Sequence, residues 1–383
     1  MKFLVAFALM GQAHPVAEID TVIRDGIDAG IYPGAVVVVG NADSVLLAKG
    51  YGRLTWGPDA AVPSPDSTLY DLASLTKVVA TTPAMMLLAD RGMVDLDAPV
   101  EHYLPDFVGE NKSAVTVRHL LSHTSGLRAF LPLDTLTENA EEARARVMAE
   151  PLRWRPGSRV EYSDLNAMLL GWTIEAAAGM PLDAFVDAEL FGPLDMGDTR
   201  FNLPRALRSR AAPINVWRGH PIQGVIHDQN AVRLDGVSGH AGLYSTGLDL
   251  ARYAQWYLRR GFLDDGRSLL RPETVELFTA ADTGNRALGW EIRDTTSTEN
   301  TGALLSPQAF GHGGFTGTSI WIDPARDVFV ILLTNRVYAP RTRRSITGLK
   351  QVRGRLADAS VRLKDRSCRL LASLEGDVSA SHC

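Results

Sequence analysis

Asp71-Leu72-Ala73-Ser74-Leu75-Thr76-Lys77, running on through the apolar stretch Val78 to Leu88, is the segment from which the rest of this chain is read. A serine at a helix start followed three residues later by lysine puts hydroxyl and ammonium on one helical face. The helix N-terminus favours negative charge beside it. A lysine held in a dry cleft loses basicity and can accept the serine proton, which an exposed lysine does not do at neutral pH. By itself Ser-x-x-Lys is more often a capping serine beside a surface lysine. Here the flanking Leu72-Ala73 and the apolar run to Leu88 give Lys77 a buried context.

Two further segments keep this one company. Glu161-Tyr162-Ser163-Asp164 opens a strong helical pattern at Leu165. A tyrosine on such a turn relays a proton between serine and leaving group if cations hold its pKa down; its plainer reading is a core tyrosine. Downstream, Phe310-Gly311-His312-Gly313-Gly314-Phe315-Thr316-Gly317 precedes a strand. Glycines at a strand edge let substrate approach the backbone and free N–H groups for an oxyanion. A phosphate loop would need a helix next, and Ser319 to Ile322 reads as strand.

Outward from these motifs, Val16 to Ala29 has helical apolar spacing, and Tyr32-Pro33-Gly34 breaks it. Ala35 to Val39 and Ser44 to Ala48 flank Gly40-Asn41-Ala42-Asp43 as a hairpin. Ser319 to Asp323 and Asp327 to Thr334 repeat the pattern around Pro324-Ala325-Arg326. The middle reads as helices over 76–91, 140–148, 165–178, 182–190 and 248–257. The spacing predicts an α/β (α+β) fold: an antiparallel sheet built from both ends of the chain, with flanking helices and a large, mostly helical insertion. The expected division is a sheet unit over 14–72 and 240–383, a helical unit over 73–239, and the active site at their junction.

Over 383 residues the chain is 45% hydrophobic and 22% charged, enough for a sizeable core, with a net charge of −5 that argues against nucleic acid as partner. The basic run from Arg341 to Arg369 reads as the solvated side of a helix. Two cysteines, Cys368 and Cys383, form neither a zinc motif nor a disulfide framework, and their pairing is a weak expectation. No apolar stretch is long enough to span a bilayer. Residues 1–13 read equally as a short export signal and as an ordinary or disordered start, leaving an exported or a cytoplasmic location open. The oligomeric state is not legible.

The three motifs, in this order, resemble the set shared by class C β-lactamases, D-alanyl-D-alanine peptidases and family VIII esterases. The resemblance runs from about Gly34 to Asn335 and takes in Val115 to Leu127 (with His119-Leu120-Leu121-Ser122-His123-Thr124-Ser125-Gly126) and Gly239 to Thr246. It implies that Ser74 is the nucleophile, Lys77 its partner base and Tyr162 the second proton carrier. The backbone N–H groups of Ser74 and Phe315 would form the oxyanion hole, with Asp164, His312, Gly313 and Gly314 against the substrate. The implied chemistry is acylation of Ser74, loss of an alcohol or amine, and hydrolysis, with no metal or organic cofactor.

Two positions depart from the family pattern. Asp164 replaces the usual asparagine; an ionised carboxylate would raise the pKa of Lys77 unless other cations compensate, and it cannot donate an amide hydrogen bond to substrate. His312 stands where many relatives have lysine, so a fixed positive charge is lost unless the imidazole is protonated. Both count against strong β-lactamase activity and leave simple ester hydrolysis open. The leading expectation is therefore hydrolysis of carboxylic esters or related small acyl compounds. The rivals are a D-alanyl-D-alanine carboxypeptidase or weak β-lactamase, an acyltransferase, and a non-catalytic penicillin-binding sensor; each would take an ester, lactam or peptide as its small-molecule partner. His123 and His240 read as structural turn residues, and His227 with Asp228 as candidates to line the cleft. Trp154, Trp217, Trp290 and Trp321 read as core by default. The loops around Arg128 to Thr137 and Asn215 to His227 would shape the acyl pocket.

Overall fold

The computed structural model describes residues 2–339 and 345–375, with side chains over 15–339 and 345–369. Six strands form one antiparallel sheet: β1 (Gly34–Gly40), β2 (Val45–Gly52), β3 (Glu291–Ile292), β4 (Phe310–Gly313), β5 (Ser319–Asp323) and β6 (Val328–Thr334), in the order β2-β1-β6-β5-β4-β3. The two hairpins read from sequence are thus paired through β1 and β6, with Ala35 opposite Thr334 and Val39 opposite Val330. The chain's two ends meet in the middle of the sheet.

Alternation along these strands explains why this sheet is buried on both faces. Val36 and Val38 of β1, Ile320 and Ile322 of β5, and Phe329, Ile331 and Leu333 of β6 point into the larger core, under helix α4 (Gly247–Leu258). Val37, Val39, Trp321, Val328, Val330 and Leu332 point the other way, into a second core formed with α1 (Lys2–Asp28) and α5 (Ile346–Glu375). Each such side chain contributes about 1.5–3 kcal/mol when fully buried. A polar substitution on either face of β1 therefore lands in a core.

Helices α2 (Thr82–Asp90) and α3 (Asp164–Ala178) pack in the larger core beside the sheet. The helix read over 76–91 is one element with two geometries: Lys77–Thr81 is a π-helical turn, and only from Thr82 does it become α-helical. The helix read over 182–190 divides similarly, into Leu182–Val186 and a π turn over Asp187–Phe191. Such wide turns recur at functional sites because they re-aim the side chains that follow.

Two sequence readings need correction. The basic run in α5 is only partly solvated: Arg355 and Arg362 are exposed and Lys350 is half-buried, but Arg353 and Lys364 are buried. Trp290 and Trp321 are core, whereas Trp154 and Trp217 are exposed, the former donating its indole N–H to Glu161 at 2.8 Å. Arg341, Arg343 and Arg344, and Cys383 of the candidate cysteine pair, lie outside the described residues. Residues 2–13 of the candidate start fall in the first turns of α1, and their side chains lie outside the described residues too. Among the described residues no helix is long and apolar enough to cross a membrane.

Candidate active site

Ser74 sits on a turn bolted in place from both sides. The N–H of Leu72 donates to Leu243 (2.9 Å), in a short ladder where Tyr70–Asp71 pairs with Leu243–Ser245. The buried carboxylate of Asp71 accepts from the N–H groups of Ala73 (2.9 Å) and His227 (2.7 Å). These bonds hold Ala73 at φ +47, a left-handed conformation that costs a non-glycine residue about 1–2 kcal/mol. From Asp71 to Leu88 every residue is buried except Ser74, which is half-buried.

Lys77 follows within the same turn, its N–H bonded to the Ser74 carbonyl at 3.1 Å. Its Nζ lies 3.2 Å from Ser74 Oγ, 3.0 Å from the His240 carbonyl and 2.8 Å from Asp164 Oδ1. An ammonium has three N–H donors, and here are three acceptors. Burial pushes the Lys77 pKa down, but the negative charge of Asp164, with Tyr162 beside it, more than reverses this, and the net shift is upward. Burial alone would have left Lys77 free to shed its proton; here the Asp164 carboxylate, the departure read from sequence, keeps it an ammonium.

Tyr162 arrives on the turn before α3, and the segment Ser122 to Gly126 builds that turn. His123, itself at φ +57, accepts the Glu161 N–H on its carbonyl (2.8 Å) and the Ser163 N–H on Nδ1 (3.2 Å). Ser163 caps the helix, its Oγ accepting from Asn166 N, and Ser125 Oγ donates to Asn166 Oδ1 at 2.6 Å. The Tyr162 ring centroid is 5.1 Å from Lys77 Nζ and 4.8 Å from the His123 ring. Its hydroxyl is buried and makes no well-aligned hydrogen bond. Burial raises its pKa, Lys77 pulls it back, and the net shift is upward.

The third segment lies alongside. Thr316 and Thr318 donate their hydroxyls to the carbonyls of Asp71 (2.7 Å) and Leu72 (3.0 Å), tying the glycine-rich loop to the nucleophile turn. Gly314 is required by closeness: a Cβ there would lie 2.1 Å from Thr318 Oγ1 and 2.5 Å from the Leu72 carbonyl. Behind it, the buried Arg353 of α5 donates to the carbonyls of Thr318 (2.6 Å) and Gly314 (3.3 Å), and a Cβ on Gly313 would meet its guanidinium at 2.8 Å. A residue of the basic run is thus a brace for the active-site strand. His312 Nδ1 is 2.9 Å from the Gly313 carbonyl, the arrangement of an N–H donor, while burial, reinforced by Arg286 and Lys77, pushes its pKa down to about 4. It is neutral near pH 7.

Other sequence readings find their places around this cluster. His240 is held between Ser238 Oγ (2.7 Å) and the Asp228 carboxylate (3.1 Å), and offers Lys77 only its carbonyl. His227 stacks on Phe315 with ring centroids 5.4 Å apart, and Phe315 is 57% exposed, so this pair forms an open wall rather than core. One charged group was not singled out from sequence at all. Arg286, which is 9% exposed, places its guanidinium 5.5 Å from the Tyr162 ring and 3.3 Å from Glu291. No motif surrounds it; only a turn (Arg286 N–H to Thr283, 3.0 Å) and the adjoining strand β3 bring it in. Among the described residues no cluster of metal-ligating side chains occurs.

Comparison with known proteins gives the chain's family and fold. The family model described as beta-lactamase matches residues 19–353. A putative D-alanyl-D-alanine carboxypeptidase of Escherichia coli K12 is 30% identical over 84% of this chain and 82% of its own. An N-acetylmuramyl-L-alanine amidase of Bacillus subtilis is 32% identical over 88% of this chain and 85% of its own. Among solved structures, a penicillin-binding protein homologue from Caulobacter crescentus superposes with a TM-score of 0.73 at 23% identity, covering 91% of this chain and 97% of the other.

Proposed function

The chain belongs to the beta-lactamase family of serine hydrolases, and from that premise we propose that it forms an acyl-enzyme on Ser74 and hydrolyses small carboxylic esters or related acyl compounds. The observation that carries the proposal is the half-buried Ser74 hydroxyl 3.2 Å from a lysine that Asp164 keeps charged. In this state Lys77 is a cation first. The serine proton then passes to the Tyr162 oxygen in its ionised form, which Lys77 stabilises, as Ser74 Oγ bonds to the acyl carbon. Tyr162 returns the proton to the departing alcohol or amine as the acyl–leaving-group bond breaks. Water repeats the sequence on the ester. The N–H groups of Ser74 and Phe315, which donate to no protein acceptor among the described residues, serve the oxyanion.

The substrate follows from charge. A neutral His312 and an ionic Asp164 offer neither a fixed cation for a substrate carboxylate nor an amide for a lactam side chain. Neutral acyl groups fit this surface best. The identity to the Bacillus subtilis amidase favours a second reading, the cleavage of a small amide, for which a protonated Lys77 aids departure of the amine.

A substrate panel tests both: p-nitrophenyl esters, a chromogenic cephalosporin, a D-alanyl-D-alanine peptide and N-acetylmuramyl-L-alanine, each with intact-mass detection of adducts. Ester turnover with a transient adduct that Ser74→Ala abolishes is expected. Turnover that survives Ser74→Ala overturns the mechanism, and amide turnover without ester turnover selects the second reading.

A further inference from the structure

A buried tyrosine gives up its proton only where positive charge surrounds it, and the cations of this site do not come from its motifs alone. The groups facing Tyr162 are Lys77 from the π turn, Asp164 from α3, His123 from the turn before it, His312 from β4, and Arg286 with Glu291 from β3 and its leading loop. Behind Lys77 lie His240 and Asp228. Asp164 offsets part of the charge of Lys77 at 2.8 Å, and both neighbouring imidazoles are pushed toward neutrality by burial, with Arg286 and Lys77 adding to the effect. Lys77 is the first cation acting on Tyr162, and Arg286 is the second.

We propose that Arg286 is a positioning residue for catalysis, a buried guanidinium that supplies from outside the motifs the positive charge needed to stabilise the ionised Tyr162. It rests on the reading that Ser74 is acylated with Tyr162 as proton carrier. Three observations converge on it. The guanidinium lies 5.5 Å from the Tyr162 ring. Its counter-ion Glu291 is held at 3.3 Å, looser than the Lys77–Asp164 pair, and its Nε and Nη1 are buried without hydrogen-bond partners. A guanidinium so poorly satisfied is costly for the fold, and its unspent charge acts on its neighbours. Its downward pull on the His123 and His312 pKa values, which Lys77 shares, has the direction such a field would give on both sides of Tyr162. Arg286 acts through Tyr162; its buried nitrogens are not placed to touch substrate.

The test is a charge series read by the rate of Ser74 acylation from p-nitrophenyl acetate between pH 6 and pH 10, in the full chain. Arg286→Met is expected to slow acylation about tenfold near pH 8 and to move the acid limb up by about one pH unit, the equivalent of that factor. Arg286→Lys, which keeps the charge, stays within about threefold of the parent. Glu291→Gln removes the opposing charge and accelerates acylation near pH 8, an effect in the opposite direction that loss of structure would not produce. Glu291→Gln carries the test alone should Arg286→Met fail to fold. Equal losses in the Met and Lys variants, or a Glu291→Gln enzyme slower than the parent, overturn the proposal. If no Ser74 adduct forms in the parent, the hydrolase reading fails instead. The absorbance titration of Tyr162, taken as the difference from Tyr162→Phe in each background, still shows whether Arg286 lowers its midpoint.

Discussion

Two cation–carboxylate pairs flank Tyr162, and they are built differently. Lys77 and Asp164 meet at 2.8 Å, and the ammonium spends its other donors on Ser74 Oγ and the His240 carbonyl. Arg286 and Glu291 meet at 3.3 Å, with two guanidinium nitrogens left without partners. A closer pair cancels more of its own charge than a looser one. Lys77, named by the motif, thus acts on Tyr162 with its carboxylate close by, and Arg286, which no motif names, adds a second and less compensated charge. A family signature locates the chemistry without locating all of its electrostatics.

Removing the cation of the tight pair, or the tyrosine that both pairs flank, has the largest effect. Lys77→Ala and Tyr162→Phe are each expected to slow Ser74 acylation by about 10²–10⁴-fold, measured as the burst of p-nitrophenol, because each removes a group in line for the proton or its charge. Parental rates in either variant would show that the proton leaves Ser74 by another route. Asp164→Asn converts the tight pair into an unpaired amine. The Lys77 pKa, raised by that carboxylate, then falls. Losing a negative charge also makes Tyr162 easier to ionise. Easier ionisation of Tyr162 moves the acid limb of acylation to lower pH and raises the rate at neutral pH several-fold, while the lower Lys77 pKa brings the basic limb down. An acid limb moving to higher pH would instead make Asp164 the proton acceptor.

The smallest effect sharpens the comparison from outside the site. Arg362 of α5 reaches Glu18 of α1 with bonds of 2.6 and 3.0 Å, geometry as short as that of the Lys77–Asp164 pair, but Arg362 is exposed and Glu18 only half-buried. Arg362→Ala is expected to cost less than about 1 kcal/mol in a urea melt and to leave acylation unchanged, because water screens an exposed pair whatever its length. A loss of several kcal/mol would mean that the two terminal helices depend on this bridge rather than on the apolar core beneath it.

The hairpins on either side of Gly40 and Pro324 were readable because strand alternation and turn residues are local signals, and the unbroken apolar run Val36 to Val39 belongs to a strand buried on both faces. The Asp164 effect on Lys77 was likewise legible, since a carboxylate replacing an amide changes charge whatever the geometry. Arg353 was misread because a helical basic run looks the same from sequence whether its residues face water or an active-site loop. Its burial depends on which face of α5 meets the sheet. Arg286 had no local signal: its meaning comes from a turn and a two-residue strand that carry it to Tyr162, far along the chain.

The order and chemistry of residues were therefore enough to assign the family, the antiparallel sheet and the cluster of Ser74, Lys77 and Tyr162, since motif spacing and periodicity are properties of the linear chain. Which of the cations is more closely paired, and which helix braces the glycine loop, depended on distances of a few ångströms between segments far apart in the chain. Electrostatic strength varies with separation and burial, and neither is written into any stretch of the chain short enough to be read alone.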